Sequence, residues 1–184
     1  MLTDACSTGR IEDVRALYEA AFPKDEKKPF EFILEKRKEG FFDIWAIENK
    51  DGGFGGLAIM LLSEDLALLD YLAVHPDCRG AGLGGSALHA LREKYGKERI
   101  VVEIENTLGP AAEQAENREE RLRRKAFYLR NGMTPMNFLV DLFGVEMEVL
   151  TFGRKLTYEE YYAIYRKVLP DRLLEKISLI SGMP

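Results

Sequence analysis

VHPDCRGAGLGGSALHALREKYG, residues 74–96, joins the end of an apolar strand to an amphipathic helix through a run of glycines. Gly80, Gly82 and Gly85 stand as G-x-G-x-x-G, and an acidic residue follows about twenty positions on, at Glu103 or Glu105. Phosphate oxygens are held by several backbone N–H groups that converge on one point with a helix N-terminus behind them. Glycine allows this because no Cβ stands in the ligand's way and positive φ costs it little. Arg79 at the mouth, and a periodic helix that starts inside the run, favour a pyrophosphate cradle over an idle turn.

Spacing separates the known phosphate loops. A dinucleotide fold needs its strand to enter the glycines almost directly, within an opening βαβ unit. Here His75, Pro76, Asp77, Cys78 and Arg79 stand between Val74 and Gly80. An antiparallel meander precedes them, and the chain offers a single strand–helix–strand unit. A Walker A loop is excluded because no Gly-Lys-Ser/Thr follows.

Working outward, FFDIWAIEN, GLAIMLLS and LALLDYLAV read as three strands, joined by the turn NKDGG and a short acidic turn at Glu64 and Asp65. The strand at 66–74 is apolar on both faces except for Asp70, which strict alternation places with Leu68, Leu72 and Val74. Upstream, IEDVRALYEAAF is a one-faced helix and FEFILEKRKEG a second, ended by Gly40, with FPKDEKKPF a polar connection. Downstream, the helix from Leu83 closes at Gly96 and RIVVEIEN is the next strand, which completes a right-handed βαβ unit. LGPAAEQAENREE reads as a polar loop, RLRRKAFYLRNG as a helix, and MTPMNFLVDLFG with VEMEVLTFG as a closing hairpin. From Tyr158 the tail reads as helix interrupted by Pro170, with Tyr158, Tyr161, Tyr162 and Tyr165 as a packing stripe.

Composition narrows the function. The chain has 184 residues, 46% apolar and 31% charged, and suits one domain with a sizeable core. No apolar run is long enough to span a membrane, and MLTDACSTGRIEDV lacks the basic and apolar regions of a secretory signal. Two cysteines outside any C-x-x-C pair and two histidines point to a reducing cytoplasm with no metal site. A net charge of −5 argues against a nucleic-acid partner. The basic run Arg121, Arg123, Arg124 and Lys125 reads as a solvated helix face paired with Glu119 and Glu120.

The glycine stretch resembles the acetyl-CoA site of the GNAT superfamily of N-acetyltransferases. The family pattern is a strand ending L-x-V-x-P, two further residues, then Q/R-x-x-G-x-G/A opening a helix. This chain gives Leu72-Ala73-Val74-His75-Pro76-Asp77-Cys78, then Arg79-Gly80-Ala81-Gly82-Leu83-Gly84. A second family block, aromatic-Tyr-x-x-x-Gly at a helix end, matches Phe127-Tyr128-Leu129-Arg130-Asn131-Gly132. The order of elements from about residue 10 to 150 follows the family too. The resemblance implies an α/β fold of the α+β type: a mixed, mostly antiparallel central sheet flanked by helices. One domain would cover residues 1–184, with a core of about 10–155 and an extra C-terminal helical extension of about 156–184.

The resemblance also implies a mechanism. Acetyl-CoA would serve as co-substrate, its pantetheine along Leu72, Ala73 and Val74 and its pyrophosphate on the amides of Gly80, Ala81, Gly82, Leu83, Gly84 and Gly85, with Arg79 at the edge. A neutral amine attacks the thioester, so a base, an oxyanion donor and an acid for the departing thiolate are needed. The family donor is a strand N–H, here that of Val74, and Tyr128 matches the family acid. VVEIEN is similar to the segment of ribosomal-protein-type N-acetyltransferases that carries the base, which falls on Glu103; Glu105 on the same face and Asp70 stay open as alternatives. For each carboxylate a structural ion pair is an equal reading. The chain departs from the family at Arg121, where many members carry an asparagine seven residues before the tyrosine. The expected acceptor is a small-molecule or peptide amine, and dimerisation would use the aromatic C-terminal helix. A non-catalytic acyl-CoA-binding module and an NAD-binding oxidoreductase are the competing functions.

Overall fold

The computed structural model describes residues 1–24 and 27–180. Asp25 and Glu26, in the expected polar connection, and residues 181–184, in the expected C-terminal extension, lie outside the described residues. The chain divides into two units, Met1–Gly96 and Lys97–Pro184. Each is mixed α/β, and the strand pairs inside each are antiparallel, in keeping with the mostly antiparallel, helix-flanked architecture expected.

The first unit runs β1 (Leu2–Asp4), α1 (Ile11–Ala21), α2 (Phe30–Lys38), β2 (Phe42–Glu48), β3 (Phe54–Leu62), β4 (Ala67–Val74), a 3-10 turn (Pro76–Cys78) and α3 (Leu83–Tyr95). Its strands lie in the order β1-β2-β3-β4, so the expected meander forms, with one short strand added at its outer edge. β1 escapes a pattern reading because it is three residues long and is defined by its pairing with Trp45, Ala46 and Ile47. β3 is apolar throughout because both of its faces are covered: Leu57, Ala58, Ile59, Met60 and Leu61 are all 0% exposed. Each such large side chain contributes about 1.5–3 kcal/mol relative to exposure. α1 buries Val14, Leu17 and Tyr18, α2 buries Phe30 and Ile33, and α3 buries Ala87, Leu88 and Leu91.

Strict alternation fails at Asp70. Ile59 pairs with Tyr71 while the next residue, Met60, pairs with Leu69, so the register skips Asp70 as a β-bulge. The bulge takes Asp70 off the face expected for it. Its carboxylate meets the Lys28 ammonium instead, 2.8 Å from each oxygen.

The second unit runs β5 (Ile100–Glu105), α4 (Gly109–Glu113), α5 (Arg118–Arg130), β6 (Thr134–Leu142), β7 (Val145–Thr151), α6 (Tyr158–Arg166), α7 (Asp171–Leu174) and β8 (Ile177–Ile180). Strand order is β5-β7-β6-β8. The closing hairpin forms as expected, turning at Phe143 (φ 57°) and Gly144 (φ 91°) in the doubly left-handed manner of a two-residue hairpin loop.

Two expectations need correction here. The stretch 108–120 is no plain loop: it holds α4 and the first turn of α5. Asn106 ties its entrance down, donating to the Leu108 carbonyl at 3.1 Å and to Glu146 Oε2 at 2.9 Å. The tail is not all helix either, since β8 follows α7 and pairs with β6 from Leu142↔Ile177 to Leu139↔Ile180. Short strands at an edge are selected by the neighbour they bond to, and periodicity does not report that. α6 is marked locally: Thr157 and Glu160 close a reciprocal capping box at its start. Among the described residues, no helix is long and apolar enough to cross a membrane.

Candidate active site

The glycine stretch in the first unit is built by β4, the 3-10 turn and α3. β4 leaves the core as it ends: Leu68 is 0% exposed, whereas Leu72, Ala73 and Val74 are half-buried. The turn then reverses the chain, with Cys78 N–H donating to the His75 carbonyl at 2.9 Å and Arg79 N–H to that of Pro76 at 3.2 Å. The Arg79 side chain folds back, its Nε donating to the Val74 carbonyl at 3.4 Å. Gly80 and Gly82 both take left-handed backbone, at φ 81° and 77°, a conformation that other L-residues resist.

Gly82 is the N-cap of α3 and supplies no side-chain hydrogen bond. The first intrahelical bond runs from Ser86 N–H to the Gly82 carbonyl, so the amides of Leu83, Gly84 and Gly85 have no helical acceptor. Gly80, Ala81 and Gly82 are exposed. A diphosphate needs this arrangement: N–H donors at the positive end of a 13-residue helix, approached over residues without bulk. The residues present fit the diphosphate of coenzyme A.

The ionisable candidates of the second unit have distinct surroundings. Glu105 is 7% exposed and bound on both oxygens, by Arg121 at 2.9 Å, Arg124 at 3.0 Å and the Asn117 amide at 2.9 Å. That is a structural ion pair between β5 and α5, and it corrects the reading of the basic run as a solvated face at Arg121 and Arg124, while Arg123 is exposed and the expected i,i+4 pair forms between Arg124 and Glu120 at 3.1 Å. Arg121, the departure from the family asparagine, thus serves as an anchor for Glu105. Lys125 in the same run binds Glu148, which is 0% exposed, at 2.7 Å. The backbone N–H of Thr107 and its hydroxyl complete that carboxylate at 3.0 and 2.5 Å.

Glu103 points elsewhere. Its Oε1 accepts hydrogen bonds from the Tyr161 hydroxyl at 2.5 Å and the Tyr165 hydroxyl at 2.6 Å. The packing stripe of α6 is therefore also a set of donors, with Tyr158 and Tyr162 bonding the carbonyls of Ile177 and Leu174. Sequence reading missed this contact; its one local trace is the four-residue spacing of Tyr161 and Tyr165, which puts both on one helix face. Both glutamates that stand about twenty positions past the glycines are held by side chains of the second unit. Asp70, the third carboxylate, is paired with Lys28 and only 7% exposed at its side chain.

Tyr128 lies on α5, 6% exposed, its ring edge-on to Phe127 at 5.0 Å between centroids. Burial pushes its hydroxyl up to about 12, and the nearby Arg124 charge pulls the other way. The group is a proton donor throughout the neutral range.

Comparison with known proteins follows the same lines. The family model of the GNAT acetyltransferase domain matches residues 40–134, more than half of the chain. The Bacillus subtilis protein YjbC, which carries an acetyltransferase name, is 32% identical over 112 residues, 59% of this chain and 50% of its own. The chain thus spans half the length of that curated relative. A GNAT-family protein structure from Bacteroides thetaiotaomicron superposes with a TM-score of 0.72 at 20% identity, covering 94% of this chain and 98% of that one. Spermidine N-acetyltransferase from Vibrio cholerae, solved with CoA and spermine, gives a TM-score of 0.57 at 11% identity over 88% of this chain and 96% of that one. At such identities the two structures share a fold with this chain.

Proposed function

The chain belongs to the GNAT acetyltransferase family, and on that premise we propose that it transfers an acetyl group from acetyl-CoA to an amine by direct attack on the thioester. The observation that carries the proposal is the uncapped first turn of α3 behind two left-handed glycines, Gly80 and Gly82. Arg79, Gly80, Ala81, Gly82, Leu83, Gly84 and Gly85 would hold the diphosphate. The half-buried end of β4, at Leu72, Ala73 and Val74, would take the pantetheine arm.

The chemistry assigned to side chains is equally part of the proposal. Glu103 takes a proton from the ammonium form of the acceptor. The neutral nitrogen then forms a bond to the thioester carbon, and the Val74 N–H donates to the developing oxyanion. As the carbon–sulfur bond breaks, the thiolate takes the Tyr128 proton, and the second proton of the newly acylated nitrogen returns to the phenolate, so that the one proton held by Glu103 is what solvent finally receives. Glu105 is passed over as the base because Arg121 and Arg124 already occupy both of its oxygens. A small polyamine is the first acceptor class to try, given the spermine in the Vibrio cholerae complex. We place this activity in the cytoplasm and in one catalytic entity made of the whole chain.

Thiol release from acetyl-CoA with a panel of amines, spermine included, tests the transfer. Thermal shifts with coenzyme A and NAD test the loop. Stabilisation by coenzyme A alone is expected, because a ligand that binds the native state raises the melting temperature. Stabilisation without thiol release from any amine would make the chain a binding module.

A further inference from the structure

We propose that Tyr161 and Tyr165 are positioning residues of the acetyl transfer, whose hydroxyls clamp the Glu103 carboxylate ionised and in one orientation. The proposal rests on the reading of Glu103 as the base. Both hydroxyls converge on one oxygen, Oε1, at 2.5 and 2.6 Å. Tyr161 is 0% and Tyr165 1% exposed, and their rings meet edge-on at 5.8 Å, so neither side chain is at liberty to swing away.

A hydrogen bond from a neutral O–H to a carboxylate favours the charged form of the acceptor, and more so where water is scarce. The proton stays on the phenol: burial, and then the Glu103 charge, push Tyr161 well above the usual tyrosine value. The effect on catalysis has two sides. A stabilised carboxylate has less driving force to take a proton, yet it stands ready and aimed at every pH above the acidic range.

The carboxylates nearest Glu103 along β5 and β7 have their own partners. Glu105, two residues on along β5, is neutralised by Arg121 and Arg124 of α5. β7 places apolar Val149 opposite Glu103, and its neighbour Glu148 is paired with Lys125. On α6, Tyr158 stands behind Tyr161 at 6.3 Å between rings. The hydroxyls of Tyr161 and Tyr165 are neutral donors through which Glu103 can be tuned. α6 falls beyond residue 134, where the family match ends.

Carbon-13 NMR of glutamate labelled at the carboxyl, assigned with Glu103→Gln, reads the titration of Glu103 in wild type, Tyr161→Phe and Tyr165→Phe. Phenylalanine keeps the ring and removes only the donor, and if one variant does not fold the other carries the measurement. The titration is expected to move up by about one pH unit in each. The acid limb of thiol release from acetyl-CoA with spermine should move up with it. An unmoved titration in both variants overturns the clamp, whichever amine the protein uses. A moved titration with an unmoved acid limb, and a Glu103→Gln variant as fast as wild type, overturns the role in transfer; the fault then lies with Glu103 as base, because the clamp itself has been seen.

Discussion

A Cβ on Gly56 would sit 2.4 Å from the carbonyl oxygen of Ala73, closer than real Cβ contacts approach backbone. β3 therefore presses against the proposed pantetheine strand with no room for a side chain, and the obstacle is backbone that cannot swing aside. Gly56→Ala is expected to destabilise the protein by about 1–3 kcal/mol and to weaken coenzyme A binding through a displaced β4. Denaturant unfolding and calorimetry read the two effects. Gly55→Ala meets chiefly the end of the Leu83 side chain and should cost less.

Tyr128→Phe removes the proposed acid and keeps the packing. The expected result is a kcat lower by about 10²–10⁴, with unchanged coenzyme A affinity and an unchanged melting temperature at neutral pH. Retention of full kcat would reassign the acid.

The pH dependence of Tyr128 has a definite sign. Its folded-state value, raised by burial to about 12, lies above that of an ordinary tyrosine near 10. The neutral form is thus favoured by folding, and its stabilising contribution is complete below pH ~10 and lost as pH rises to ~12. Thermal melts across that window should show a fall that Tyr128→Phe makes shallower.

Half-buried Lys125 pairs with fully buried Glu148, and removing the lysine leaves that carboxylate in the core without its counter-charge. Lys125→Met is expected to cost about 3–5 kcal/mol, while Lys125→Met with Glu148→Gln should recover much of the loss. Equal destabilisation of the single and double variants would show that packing, not the orphaned charge, is responsible.

Phe143 holds a left-handed backbone at φ 57° on the exposed β6–β7 turn. Phe143→Asn should stabilise the protein by about 1 kcal/mol, because asparagine tolerates that region. Chemical denaturation with an unchanged slope is the check.

The elements legible in the sequence are those whose cause is local. The meander appears in the apolar runs of β2, β3 and β4, α1 in its one-sided pattern, and the β6–β7 hairpin in its flanking strands and Phe-Gly turn. β1, β8 and α4 carry no such signature, since pairing or an anchor such as Asn106 fixes them. The bulge at Asp70 is of the same kind: a skipped register is a property of two strands.

The amino-acid order alone determined the glycine loop proposed to hold the diphosphate, because positive φ at Gly80 and Gly82 and a side-chain-free entry to α3 are properties of the residues themselves. Folding alone decided which partner each carboxylate meets. Asp70 meets Lys28 across 42 positions, and Glu103 meets Tyr161 and Tyr165 across 58 and 62. Three acidic side chains alike in sequence were sorted by the partners that packing brought to them, since the affinity of a carboxylate for its proton depends on its neighbours in space.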